Sequence, residues 1–133
     1  MIYKSYLIEQ NLETINKNKV FLFYGENEGL KEDFKKNIKL ISKSKEIISL
    51  LLDDVMTNEN LLINEILNKS LFENKKIIFI DQINDKILIT IEKIIEKISD
   101  ENIILFAKNL DRKSKLRNYF EKSKLCGIVA CYQ

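Results

Sequence analysis

Five short apolar runs, Val20–Tyr24, Ile47–Leu52, Lys76–Ile80, Asn102–Phe106 and Gly127–Cys131, constrain the fold of this chain more than any other feature. They are rich in Ile, Val and Phe and mostly lack polar alternation, the pattern of strands covered on both faces. Between them, Leu30–Ile41, Glu59–Phe72, Lys86–Ile98 and Arg112–Phe120 show helical spacing, as in Ile87, Ile91, Ile94, Ile95 and Ile98. The stretch from Tyr3 to Ile15 reads as a leading helix. Strands alternating with helices predict an α/β fold of three layers, α/β/α, around a five-stranded parallel sheet. With 133 residues, no proline and no low-complexity tract, residues 1–133 form a single domain.

Folds of this type bind ligands at the carboxyl ends of their strands. The first end carries Gly25-Glu26-Asn27-Glu28-Gly29-Leu30-Lys31-Glu32, in register with a phosphate-binding loop. A working loop reads G-x-x-x-x-G-K-S/T: backbone N–H groups cradle phosphates, the Lys reaches the outer phosphates and the hydroxyl holds magnesium. Gly25 and Lys31 fit this pattern. Leu30 replaces the second glycine, Glu32 replaces the hydroxyl, and Glu26 and Glu28 add negative charge. The loop is expected to repel ATP, leaving a P-loop NTPase layout without a functional P-loop and no cofactor. Such a chain reads as a structural or partner-binding member of an ATPase assembly.

The other strand ends agree. Asp53-Asp54 reads as a solvated loop, with Thr57 or Asn58 capping the next helix. The third run ends in Asp81-Gln82, where an ATPase has Asp-Glu, and Gln82 cannot act as base. Asn109 reads as a turn residue. A response-regulator reading, with Asp81 and Glu26 as its acidic site, lacks the lysine it needs after the fifth strand.

A net charge of +2 from 22 basic and 20 acidic residues gives no global field toward nucleic acid or an anionic membrane. The first ten residues are not a signal peptide, and no apolar run approaches the length of a membrane span. A cytoplasmic protein is expected. The two cysteines, Cys126 and Cys131, fall on opposite faces of a strand, and there is no His; reduced core thiols are expected and no metal site.

Three segments resemble the N-terminal domain of the delta subunit of the bacterial DNA polymerase III clamp loader. They are Tyr24-Gly25-Glu26-Asn27-Glu28 with Leu30, Ser70-Leu71-Phe72 before the third run, and Leu110-Asp111-Arg112-Lys113-Ser114-Lys115-Leu116 after the fourth. The resemblance implies an AAA+-type fold, RecA-like, that does not bind ATP, with the Val20 strand inside the sheet and the Ile47 strand at an edge. It implies a non-catalytic subunit of the polymerase III holoenzyme in DNA replication. Its partners would be the sliding clamp, which it opens for loading onto primed DNA, the other loader subunits and, indirectly, DNA. Delta subunits continue into further domains, so the chain is expected to be one domain of a longer protein.

The resemblance places the clamp-gripping pair at Leu71 and Phe72. By composition alone the pair caps the core; the resemblance implies that it projects. Lys108, Arg112, Lys113, Lys115 and Arg117 form a basic stretch that touches DNA phosphates or a neighbouring subunit, or is simply a solvated helix face. The alternative function is a generic α/β nucleotide-binding enzyme or switch domain using Lys31 and Asp81.

Overall fold

The computed structural model describes residues 1–68 and 75–132. Its elements are β1 (Ile2–Tyr3), α1 (Ser5–Gln10), a 3-10 helix (Leu12–Lys17), β2 (Val20–Tyr24), α2 (Glu28–Ile41), β3 (Glu46–Leu51), α3 (Leu52–Thr57) and α4 (Leu61–Leu67). Then follow β4 (Lys76–Ile83), α5 (Leu88–Ile94) between two 3-10 turns, β5 (Asn102–Ala107), α6 (Lys115–Lys122) and β6 (Cys126–Ala130). All pairings are parallel, in the order β1-β6-β2-β5-β4-β3.

Successive strand residues point to opposite faces, so each central strand supplies two cores. On one face Phe21, Phe23, Phe79, Ile104 and Phe106 meet Ile8 of α1 and Phe34 and Ile38 of α2. On the other, Val20, Leu22, Ile78, Ile80, Ile103 and Leu105 meet Leu62 and Ile66 of α4, Ile91 and Ile94 of α5, and Leu116 and Phe120 of α6. Three layers result. Cys126 joins the second core and Cys131 the first, both as free thiols. Burial pushes the Cys126 thiol up to about 11 and the Cys131 thiol up to about 12.

The Val20 strand lies inside the sheet and β3 at an edge, the arrangement the resemblance implies. The sheet has six strands rather than five. Tyr3 does not start a helix: Ile2 and Tyr3 pair with Ile128 and Val129, making β1 the other edge. Beside this pairing the Met1 ammonium donates to the carbonyls of Phe120 (2.9 Å), Ser123 (3.0 Å) and Cys126 (2.8 Å).

The segment after β3 also differs from expectation. Asp53 and Asp54 begin α3 instead of lying in a loop, and Asp54 accepts from the Leu51 N–H at 2.9 Å. An acidic first turn suits a helix N-terminus. Thr57 does not cap α4: its hydroxyl donates to the Asp53 carbonyl at 2.7 Å, within α3, whereas Asn58 Oδ1 accepts from the N–H of Asn60, the residue that precedes α4, at 3.3 Å. The helix expected over Glu59–Phe72 begins at Leu61, and its described part ends at Leu67.

Candidate functional site

At the carboxyl end of the sheet, a cleft of about 310 Å³ is lined by Glu28, Lys31, Glu32, Lys35, Asp81, Gln82 and Lys108, among others. Glu28, Lys31 and Glu32, at the start of α2, form one wall. Gly25 adopts φ +124°, and a Cβ there would stand 2.3 Å from the Cys131 carbonyl oxygen. The glycine therefore serves a tight turn against Cys131, the residue that follows β6.

A phosphate cradle needs free backbone N–H groups. In this loop the N–H groups of Gly25, Asn27, Glu28, Leu30 and Lys31 bond to the protein. Gly25 N–H donates to the Lys108 carbonyl (3.1 Å), Asn27 N–H to Cys131 (3.0 Å) and Glu28 N–H to Glu26 (3.0 Å). Leu30 N–H donates to Asn27 Oδ1 at 3.1 Å and Lys31 N–H to the Asn27 carbonyl at 3.2 Å. Asn27 thus caps α2 where a phosphate would.

The Lys31 side chain is equally engaged. It is 5% exposed, and its ammonium donates to the Ala107 carbonyl and to Glu28 Oε1, both at 2.8 Å. That hydrogen bond from Lys31 holds the exposed Glu28 carboxyl below its ordinary value. Glu32 is exposed and pairs with Lys35 at 3.2 Å.

Asp81 lies beside a register shift between Ile80 and Ile83, where Gln82 has φ +57°. Its carboxylate pairs with Lys35 at 2.6 Å. The Lys35 ammonium also stands 4.9 Å from the Phe106 ring centre. Burial alone would lower the Lys35 pKa, yet its hydrogen bonds to Asp81 and Glu32 raise it. The structure does bring Lys31 and Asp81 to one cleft, but each has an in-chain partner. Lys35 was not singled out from sequence; its place four residues after Lys31, one helical turn on, was the available signal.

Leu71 and Phe72 lie outside the described residues. The structure does describe what flanks them. Lys76, 7% exposed, sends its ammonium to the Glu65 carbonyl at 2.9 Å, to the Asn68 carbonyl, and to Glu65 Oε2 at 3.3 Å. In the sequence Lys76 stands only as the first residue of an apolar run.

The basic stretch divides. Lys108, Arg112, Lys113 and Lys115 are exposed. Arg117 is withdrawn: its guanidinium donates to the Leu110 carbonyl at 3.0 Å and to Glu121 at 3.3 Å, 5.3 Å from the Tyr24 ring centre. The helix starts at Lys115, three residues later than expected, because Ser114 is its N-cap, accepting from the Arg117 N–H at 3.1 Å. Asp85 completes that end, accepting from the Ser114 hydroxyl at 2.6 Å and the Lys115 N–H at 3.1 Å. Among the described residues no cluster of His, Cys, Asp and Glu is suited to a metal, and no helix is long and apolar enough to cross a membrane.

No curated protein matches the chain significantly. Among solved structures, the Bacillus subtilis DNA clamp loader delta protein (YqeN) superposes with a TM-score of 0.71 at 13% identity, over 97% of this chain and 42% of that one. At that identity the likeness establishes the fold. This chain thus spans less than half the length of the protein it matches. The sequence model described as "DNA polymerase III, delta subunit" matches residues 21–129, and the chain belongs to that family of clamp-loader components.

Proposed function

We propose that this domain is the non-catalytic, clamp-contacting part of a clamp-loader delta subunit, gripping the sliding clamp through Leu71 and Phe72 and opening the ring for loading onto primed DNA. The observation that carries the non-catalytic half is the self-occupied loop. Five of its N–H groups and the Lys31 ammonium already have acceptors within the chain. Lys35 occupies Asp81, the residue that would hold magnesium. Membership of the delta family supports the clamp as partner.

The reading is tested by measuring affinity for the cognate sliding clamp on the wild type and on L71A/F72A. Removing two large apolar anchors from a desolvated interface should weaken binding roughly thirty-fold or more. The melting temperature should change little. A double variant that melts early yet binds the clamp as tightly as wild type would place the pair in the core and end the anchor assignment.

A further inference from the structure

The two edges of the sheet are finished differently. β1 is two residues long, and so short an edge offers little to a partner. β3 runs over six residues, Glu46–Leu51, and among the described residues no strand pairs with its outer side. It carries none of the devices that blunt an edge: the strand has no proline, no lysine and no bulge in its register with β4.

The register shows which backbone groups are open. Glu46 pairs with Lys76 in a parallel ladder, and its N–H donates to the Lys75 carbonyl at 2.8 Å. Glu46, Ile48 and Leu50 therefore turn their N–H and C=O groups to β4, while Ile47, Ser49 and Leu51 turn theirs outward. Asp54 already accepts from the Leu51 N–H, which leaves the outward groups of Ile47 and Ser49. The side chains agree with this division: Ile48 and Leu50 pack on the core, whereas Ile47 is 39% exposed and Leu51 44%.

The two ends of the strand carry opposite charge. Lys43 and Lys45 precede β3, and Asp53 and Asp54 follow it. Among the described residues none of these four makes an ion pair. A strand that is basic at its start and acidic at its end complements a reversed copy of itself.

We propose that the outer edge of β3 docks a second copy of this chain, antiparallel about a two-fold axis, joining two six-stranded sheets into one. An axis through Ile48 sets Ile47 of each copy opposite Ser49 of the other. These are the residues with open backbone groups, and such opposed pairs exchange both N–H···O bonds. The same axis brings Lys43 and Lys45 of one copy toward Asp53 of the other, whereas a parallel arrangement would set like charges together. Two-fold symmetry requires a patch that complements itself, and the charge pattern supplies it. The inference is independent of the clamp-contacting reading.

The test is sedimentation equilibrium of the chain from about 10 μM to 1 mM, with thermal melting alongside. A monomer–dimer equilibrium within that range is expected, shifted toward monomer by salt. Ser49→Pro removes an N–H that points outward, a change an edge strand tolerates; it should keep the melting temperature and weaken the dimer at least about tenfold. Ile47→Lys, which puts a charge on the edge, should do the same and decides the matter if Ser49→Pro fails to fold. K43E/K45E and Asp53→Lys should each weaken the dimer about three- to tenfold, and the three changes together should restore it. A wild type that stays monomeric at about 1 mM overturns the proposal. Folded Ser49→Pro or Ile47→Lys variants that dimerise as wild type overturn it too, by placing the contact on another surface. Charge changes that weaken singly and do not restore in combination overturn the antiparallel pairing.

Discussion

The Lys35 ammonium lies 2.6 Å from the Asp81 carboxylate, so the group that would ligate magnesium in an ATPase faces a lysine of α2. Calorimetry with Mg-ATP is therefore expected to show no saturable heat at concentrations up to about 1 mM, the level at which binding would be worth only about 4 kcal/mol. The variant L30G/E32S, which rewrites the loop toward a working motif, should stay silent as well, because Lys31 remains tied to the Ala107 carbonyl. Saturable micromolar binding by the unmodified protein would contradict this.

Gly25 and Gly29 sit four residues apart and should respond in opposite ways. A Cβ at Gly25 meets the Cys131 carbonyl oxygen at 2.3 Å with φ at +124°; Gly25→Ala should cost about 3 kcal/mol or more in urea unfolding. At Gly29, in the first turn of α2, the nearest atom is 3.7 Å away. Gly29→Ala should be neutral or stabilise by up to about 1 kcal/mol. Equal effects at the two positions would refute the assignment of Gly25 to the turn.

Both thiols are buried, with Cys126 near 11 and Cys131 near 12, so neither forms thiolate at pH 8. A disulfide reagent at that pH should label the native protein only as fast as it opens, and the unfolded protein at once. Linkage gives the pH trend. The folded state keeps these protons above pH 9, the ordinary thiol value, while the unfolded state loses them. The contribution is complete below pH 9 and is lost progressively as pH rises toward 12. C126A/C131A should flatten that part of the profile; an unchanged slope would assign it elsewhere.

Arg117 and its basic neighbours should separate cleanly. Arg117→Ala loses hydrogen bonds to Leu110 and Glu121 and its place over Tyr24, and should cost about 1–2 kcal/mol of stability. R112A/K113A/K115A should leave stability within about 0.5 kcal/mol. If these exposed cations serve a polyanion, the triple variant lowers DNA retention at low salt and flattens its salt dependence. Unchanged retention would leave them as a solvated face.

What was legible in the sequence was what burial writes locally. Each central strand is covered on both sides, so its apolar run marks it to within a residue or a few. The edge strand β3 is legible although four of its six residues are exposed, because Ile47 to Leu52 still reads as a run. β1 left no signal: two residues have no periodicity, and their partners lie near residue 128. α3 was hidden because Asp53-Asp54 resembles a loop until the Asp54 carboxylate is seen capping the Leu51 N–H. At the site, Gly25, Lys31 and Asp81 were recognisable from their places after apolar runs. Their partners were not, since a buried ammonium takes its acceptors from whichever element the fold brings near: β5 for Lys31, β4 for Lys35 and α4 for Lys76.

The position of β6 between β1 and β2 has a consequence for biosynthesis. The two strands that flank it leave the ribosome first, yet neither meets its shared neighbour until Cys126–Ala130 has also emerged. Until then β2 carries an open edge, and the Met1 ammonium lacks the Phe120, Ser123 and Cys126 carbonyls that anchor it. A nascent chain cannot complete this sheet from its N-terminus forward; closure waits for a strand inserted between the two that were made earliest, at the cost of pairings more than a hundred residues apart.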